Sequence, residues 1–228
     1  YGLPVEVAVA AGLIFGTLIG SLNGWLIAAM KLPPFIVTLG MWQIVLAANF
    51  LYSKNATIRS QDIEQQAPLL QFLGTTFNLG ADVEGRGGAT FTYGVIAMVL
   101  IFAVLSYILS QTAWGRHVYA VGDDPEAAQL SGVNVKRTII SVYAVTGFIC
   151  AIAGWALIGR IGSVSPTSGQ LLNIESITAV VIGGISLFGG RGSIMGPLFG
   201  ALIVGVFTLG LRLAGADAQW TFLLIGAL

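Results

Sequence analysis

Long apolar stretches separated by short polar clusters make up most of this chain. A helix needs about 20 apolar residues to cross the hydrocarbon core of a bilayer. Most of the stretches approach that length, the fifth is shorter, and a further apolar run begins at Gln219. The pattern predicts an all-α fold, a polytopic transmembrane helical bundle forming one domain over residues 1–228. The six predicted segments cover approximately residues 5–30, 35–52, 93–113, 138–159, 174–187 and 194–213.

The fifth segment differs from the others because it stops early. Its apolar run is broken by Gly189-Gly190-Arg191-Gly192, and small and polar residues crowd the stretch before it. Short, glycine-interrupted apolar segments are typical of broken or re-entrant helices beside a pathway. We therefore expect such an interruption between the fifth and sixth segments.

Four glycines recur at every fourth residue of the first segment and so share one helix face: Gly12, Gly16, Gly20 and Gly24. Small residues at this spacing let two helix backbones approach closely in lipid. We expect close helix packing here, and the alternative is a flexible gate. Asn23 lies beside this face. Its amide either pairs with another helix or lines a polar path, because an unpaired amide is unfavourable in lipid.

A polar loop at residues 114–137 has the sequence of a short capped helix, and it contains the chain's only His. An acidic pair offers the N-cap, a proline takes the first helical position, and a glycine is placed to end the helix. Two turns are not stable alone. We expect Leu130 and Val133 to hold the helix to the membrane domain, while two alanines leave a flat surface for a partner protein. The alternative is an ordinary interfacial helix. The residues concerned are Asp123, Asp124, Pro125, Glu126, Ala127, Ala128 and Gly132.

The longest loop covers residues 53–92 and contains several short apolar runs, which indicate partial order. A loop of this length is uncommon unless it has a function. It is either a tolerated connection or a docking surface for a soluble partner.

Composition agrees with a membrane protein. The chain of 228 residues is 56% hydrophobic and 9% charged, whereas a soluble domain is about 25% charged. A net charge of zero argues against nucleic acid as a partner. Its one cysteine, Cys150, excludes a disulfide framework or a cysteine metal site, and we predict neither catalytic nor metal-binding residues. Because the sequence starts without Met and ends inside an apolar run, we expect a fragment truncated at both ends.

Four stretches resemble one known family. They are GSLNGWLIAAMKLPPFIVTLGM (20–41), TAWGRHVYAVG (112–122), GDDPEAAQLSGVNV (122–135) and the region 160–205. Together they are similar to bacterial ABC transporter permeases of the monosaccharide importers for ribose, xylose, galactose or fructose. The resemblance runs in order along nearly the whole chain.

The resemblance implies a type II-like ABC importer permease of about ten spans, of which this chain would hold a part. It implies a multi-pass protein of the bacterial inner membrane, with loop 53–92 periplasmic and loop 114–137 the cytoplasmic coupling loop. The implied partners are an ATP-binding cassette ATPase, a periplasmic sugar-binding protein, a second permease chain in a homodimer or heterodimer, and membrane lipid. The chain itself would be no enzyme and carry no cofactor, since ATP and Mg²⁺ belong to the ATPase.

A sugar path needs hydrogen-bonding groups and aromatic faces. The candidates in or beside the predicted spans are Asn23, Trp42, Gln43, Asn49, Trp155 and Glu175. For each, ordinary packing is the alternative, and Glu175 could instead cap its helix.

Other functions remain as alternatives. A permease of the same superfamily could carry branched-chain amino acids or nucleosides. An ion-coupled secondary transporter usually needs an acid or base within its spans, and the predicted spans contain almost none. A membrane enzyme would need a nucleophile–base pair or a metal cluster, and the sequence offers no such set.

Overall fold

Helices dominate the protein. The computed structural model describes residues 4–61, 63, 67–79, 89–169, 172–187, 189–215, 219–220, 223 and 226. Two compact units are present: Tyr1–Ile101 with Asn134–Ser168, and Phe102–Val133 with Gly169–Leu228. We number the helices α1 (Val5–Met30), α2 (Pro34–Ser53), α3 (Pro68–Gln71), α4 (Tyr93–Gln111), α5 (Ala113–Asp123), α6 (Pro125–Leu130), α7 (Val135–Ile161), α8 (Leu172–Ile182) and α9 (Met195–Leu213).

Four of these helices, α1, α2, α4 and α7, are long and apolar enough to cross a membrane. Their bounds agree with the first four predicted segments. Many of their large apolar side chains are exposed, such as Phe15 at 61% and Leu100 at 59%. Such a surface is stable in lipid rather than in water. The predicted polytopic helical membrane protein is therefore confirmed.

In the first unit, α1 packs against α7 through glycines. A Cβ atom added to Gly16 would lie 2.8 Å from the Cβ of Ala151, and one added to Gly24 would lie 2.8 Å from Ile140 Cα. Gly20 approaches the backbone of α7 in the same way. Close packing is thus confirmed at three of the four predicted glycines. Gly12 is the exception, because a Cβ there would meet no atom within 4 Å.

The connection at 53–92 contains local structure, although residues 62, 64–66 and 80–88 of this predicted loop lie outside the described part. α3 and a 3₁₀ turn (Phe72–Gly74) contact α7. Strands β1 (Thr76–Leu79) and β2 (Ala89–Thr92) form an antiparallel pair, a small departure from the all-α prediction. Ile58 and Val164 bridge by two backbone hydrogen bonds of 2.9 and 3.1 Å. These contacts fasten the connection to the C-terminal end of α7.

In the second unit, α8 packs against α9 through small residues. A Cβ added to Gly200 would lie 3.0 Å from the backbone nitrogen of Gly183. At 11 residues, α8 is about 16 Å long and too short to cross a bilayer. Residues 183–194 separate the two helices, so the expected interruption is confirmed. Most of the apolar run predicted from Gln219 lies outside the described residues.

Candidate functional site

The N-terminus of α6 is capped as the sequence predicts. A side-chain oxygen of Asp124 accepts hydrogen bonds from the backbone N–H groups of Glu126 and Ala127, at 2.9 and 3.0 Å. Pro125 occupies the first helical position, where no N–H is needed. The carboxylate also lies at the positive end of the helix dipole. The cap fixes where the chain turns from α5 into α6.

The C-terminus of α6 is closed by a Schellman motif. The N–H of Val133 donates to the carbonyl of Ala128, and the N–H of Gly132 donates to that of Gln129, both at 3.0 Å. Gly132 has a φ of +85°, a conformation that favours glycine. The predicted stop at Gly132 is confirmed. With both ends satisfied, α6 is a short but well-defined element.

α6 is preceded by a second helix, α5, which was not predicted from the sequence. Part of the predicted loop 114–137 is α5, whose N-cap Thr112 accepts a hydrogen bond of 3.2 Å from the N–H of Gly115. Trp114, Val118 and Val121 are spaced as on one face of a helix, and Val121 is buried. This spacing was the signal that could have predicted α5. The predicted coupling loop therefore contains a pair of helices, and α6 contacts α5.

Two expectations about the surface of α6 are wrong. Ala128 is only 5% exposed, so it does not contribute to a flat outer surface, and Leu130 is 90% exposed instead of holding the helix down. Side chains two positions apart on a helix point about 200° away from each other. Because Ala128 faces inward, Leu130 must face outward. The exposed side of α6 carries Glu126, Ala127 and Leu130.

The second unit brings the interrupted segment to the C-terminal half of α5. The hydroxyl of Tyr119 donates a hydrogen bond of 3.0 Å to the carbonyl of Gly192. A Cβ added to Gly122 would lie 2.8 Å from the backbone nitrogen of Gly190. This contact was not predicted, because no sequence pattern links residues so far apart. The contact places Arg191, which lies between Gly190 and Gly192, near the end of α5 that continues into α6.

The candidate path residues of the first two helices do not converge on one site. Trp42, Gln43 and Asn49 are exposed on α2, and residues 43 and 49 point in different directions. Asn23 is partly buried on α1, and its side-chain oxygen has no hydrogen-bond partner among the described residues. This oxygen is buried, and both interpretations of Asn23 stay predictions.

The other two path candidates occupy different units. Trp155 on α7 donates a hydrogen bond of 3.2 Å from its indole nitrogen to the carbonyl of Leu69 in α3. This gives Trp155 a packing role in the first unit. Glu175 lies in the first turn of α8, in the second unit, and is partly buried.

Comparisons with known proteins agree on one family. The profile of the family described as branched-chain amino acid transport system / permease component matches residues 1–228. This chain belongs to that permease family. No solved structure matches it.

Several curated relatives are sugar import permeases, as the sequence resemblance indicated. The fructose import permease protein of Rhizobium meliloti is 69% identical over 228 residues, covering all of this chain and 61% of the relative. A ribose import permease of Haemophilus influenzae is 36% identical over 96% of this chain and 64% of the relative. A galactose/methyl galactoside import permease from the same organism is 32% identical, over 99% and 65%. The chain thus spans about three fifths of the length of these curated relatives.

Proposed function

We propose that this chain is part of the permease subunit of an ATP-driven ABC importer that carries a monosaccharide across the bacterial inner membrane. The observation that carries the proposal is the 69% identity, over the whole chain, with a fructose import permease. Fructose is therefore the first sugar to test. Sugar permeases at lower identity, for ribose and galactose, support the monosaccharide class.

The proposed partners follow from this assignment. An ATP-binding cassette ATPase binds the exposed side of α6 from the cytoplasm, and it holds the ATP and Mg²⁺. A periplasmic sugar-binding protein delivers the sugar, and a second permease chain completes the pore. The permease performs no covalent chemistry. ATP binding moves α6, and the spans exchange between outward-open and inward-open packings.

Reconstitution tests this function directly. The full-length permease, its ATPase and its binding protein are placed in proteoliposomes, and uptake of labelled fructose is measured with and without Mg-ATP. We expect uptake only with Mg-ATP, and competition by unlabelled fructose within a panel of pentoses and hexoses. Uptake driven by an ion gradient without ATP would instead indicate a secondary transporter.

The family's description supports one alternative substrate class, since it names branched-chain amino acids. Leucine, isoleucine and valine therefore belong in the competition panel. We expect no competition from them. Strong competition by leucine with none by any sugar would replace the monosaccharide assignment and leave the ATP-driven mechanism intact.

The proposed topology is testable in whole cells. Cys150 is first replaced by alanine, and single cysteines are then placed at the exposed positions Gln129 and Thr57. A thiol reagent that cannot cross the membrane should label Thr57→Cys in intact cells and Gln129→Cys only after lysis. The reverse pattern would invert the assignment of loops 53–92 and 114–137.

A further inference from the structure

Residues 189–192 form a loop that is held by backbone hydrogen bonds. The N–H of Ser186 donates to the carbonyl of Arg191 at 3.1 Å, and the N–H of Arg191 donates to the carbonyl of Gly189 at 2.9 Å. Gly189, Gly190 and Gly192 have φ values of +94°, +70° and +145°. Residues other than glycine rarely adopt these conformations. The loop is therefore a defined turn between α8 and α9.

This turn lies against α5 with backbone touching backbone. A Cβ added to Gly190 would lie 2.7 Å from Asp123 Cα, and one added to Gly189 would lie 2.5 Å from the carbonyl oxygen of Gly122. Only backbone atoms of Gly122 lie near Gly189, while the Asp123 side chain lies beside Gly190. The hydrogen bond from Tyr119 to the Gly192 carbonyl ties the far side of the turn to α5.

The same end of α5 is continuous with α6. Asp123 is the last residue of α5, and Asp124, the next residue, caps α6. The N–H of Asp124 also donates to the carbonyl of Ala120 at 3.1 Å. A displacement of α6 is therefore passed to the end of α5 without a flexible linker.

We propose that the turn 189–192 receives the movement of α6 and passes it to the paired helices α8 and α9. This inference rests on the proposed function, because it assumes that an ATPase moves α6. The contact is tight, since the backbones of Gly122, Gly189 and Gly190 meet there, with the Asp123 side chain lying beside Gly190. The close packing of Gly183 with Gly200 then makes α8 and α9 respond together. In this scheme Tyr119 and Gly122 are positioning residues, which act through the turn and touch no sugar.

Two variants disturb the contact in different ways. Gly122→Ala places a methyl group 2.8 Å from the backbone nitrogen of Gly190 and forces the turn away. Tyr119→Phe keeps the ring and removes the hydrogen bond to Gly192, so it disturbs packing least. Gly205→Ala is the matched control in the same unit, because a Cβ there would meet no atom within 4 Å.

The readout separates coupling from folding and from ATPase binding. A spin label at Arg191→Cys, in a Cys150→Ala background, reports the turn in the full-length permease with its ATPase in proteoliposomes. We expect Mg-ATP to change the label's mobility, and Gly205→Ala to preserve this response. Gly122→Ala should reduce the response and ATP-driven fructose uptake by about fivefold to a hundredfold. Tyr119→Phe should reduce both by about threefold. ATPase binding and ATP hydrolysis should stay within about twofold in both variants, a smaller change than either loss of coupling.

Each other outcome has a distinct meaning. If the unmodified complex responds to Mg-ATP and both contact variants respond equally well, the inference is wrong and the proposed function stands. If Gly122→Ala fails to assemble, Tyr119→Phe is tested alone, and an undiminished response to Mg-ATP in that variant would show that the inference is wrong. If the unmodified complex neither binds an ATPase nor responds to Mg-ATP, the proposed function fails and the inference fails with it.

Discussion

Gly20 of α1 and Gly147 of α7 lie backbone against backbone. A Cβ atom added to either glycine would lie 3.0 Å from the Cα of the other, and each would also strike a backbone carbonyl of the facing helix. Helices in a bilayer gain little from burying apolar groups against each other, so close van der Waals packing stabilises their association. This crossing is therefore the main contact that holds the first unit together.

We predict that Gly20→Ala weakens this crossing. The added methyl group has no space, because its neighbours are backbone atoms that cannot rotate away. Overpacking of this kind costs about 1–3 kcal/mol, so the purified permease should unfold at a lower temperature and at a lower denaturant concentration. Thermal unfolding in detergent, followed by intrinsic fluorescence, measures the effect.

Gly12→Ala is the control for that experiment. It makes the same chemical change on the same helix, at a position where the added Cβ meets nothing within 4 Å. Its stability should be unchanged or slightly increased, because alanine favours a helix over glycine by about 0.5–1 kcal/mol. Equal destabilisation by both variants would show that the crossing does not determine stability.

A second prediction concerns the cap of α6. Asp124→Ala removes the acceptor for the N–H groups of Glu126 and Ala127, which costs about 1 kcal/mol. The start of α6 should fray, and hydrogen exchange at residues 126–128 should accelerate by about fivefold. Asp124→Asn keeps a capping oxygen and should exchange as the unmodified protein does. If Asn behaves like Ala, the charge rather than the cap stabilises α6.

Much of the architecture could be predicted because it depends on local signals. The four long spans follow from apolar length, and the limits of α6 follow from Asp124, Pro125 and Gly132, whose conformational preferences act within a few residues. The glycine spacing in α1 predicted a close contact with another helix, but it did not indicate how far along α1 that contact extends. Gly12 therefore lies beyond the contact.

The rest depended on tertiary contacts that no local signal encodes. Which side of a six-residue helix faces inward is decided by what it packs on, and α5 was not predicted. The orientations of Ala128 and Leu130 were consequently reversed. The approach of Gly190 to Gly122 joins residues far apart in sequence. Because glycine is compatible with both open turns and tight contacts, the sequence alone did not distinguish them.

A third prediction concerns the attachment of α3 to α7. Trp155→Phe removes the indole N–H that donates to the Leu69 carbonyl, leaving that carbonyl without this donor at a cost of about 1 kcal/mol. Hydrogen exchange at residues 69–74 should become about fivefold faster. Trp42→Phe, at a position 37% exposed on α2, should leave exchange at these residues unchanged. If the two variants exchange at the same rate at these residues, the packing role of Trp155 is contradicted.

The last prediction separates the two faces of α6. Leu130 is 90% exposed, and burial of a leucine side chain contributes about 1.5–3 kcal/mol. If the ATPase covers this residue, Leu130→Gln should weaken its binding by about tenfold to a hundredfold without changing the thermal stability of the permease. Ala128 is buried, so Ala128→Leu should do the opposite: it should lower permease stability, while ATPase binding below the unfolding temperature changes little. Binding is measured by titrating labelled ATPase onto permease in nanodiscs. If Ala128→Leu weakens ATPase binding and Leu130→Gln leaves it unchanged, the ATPase binds the other face of α6.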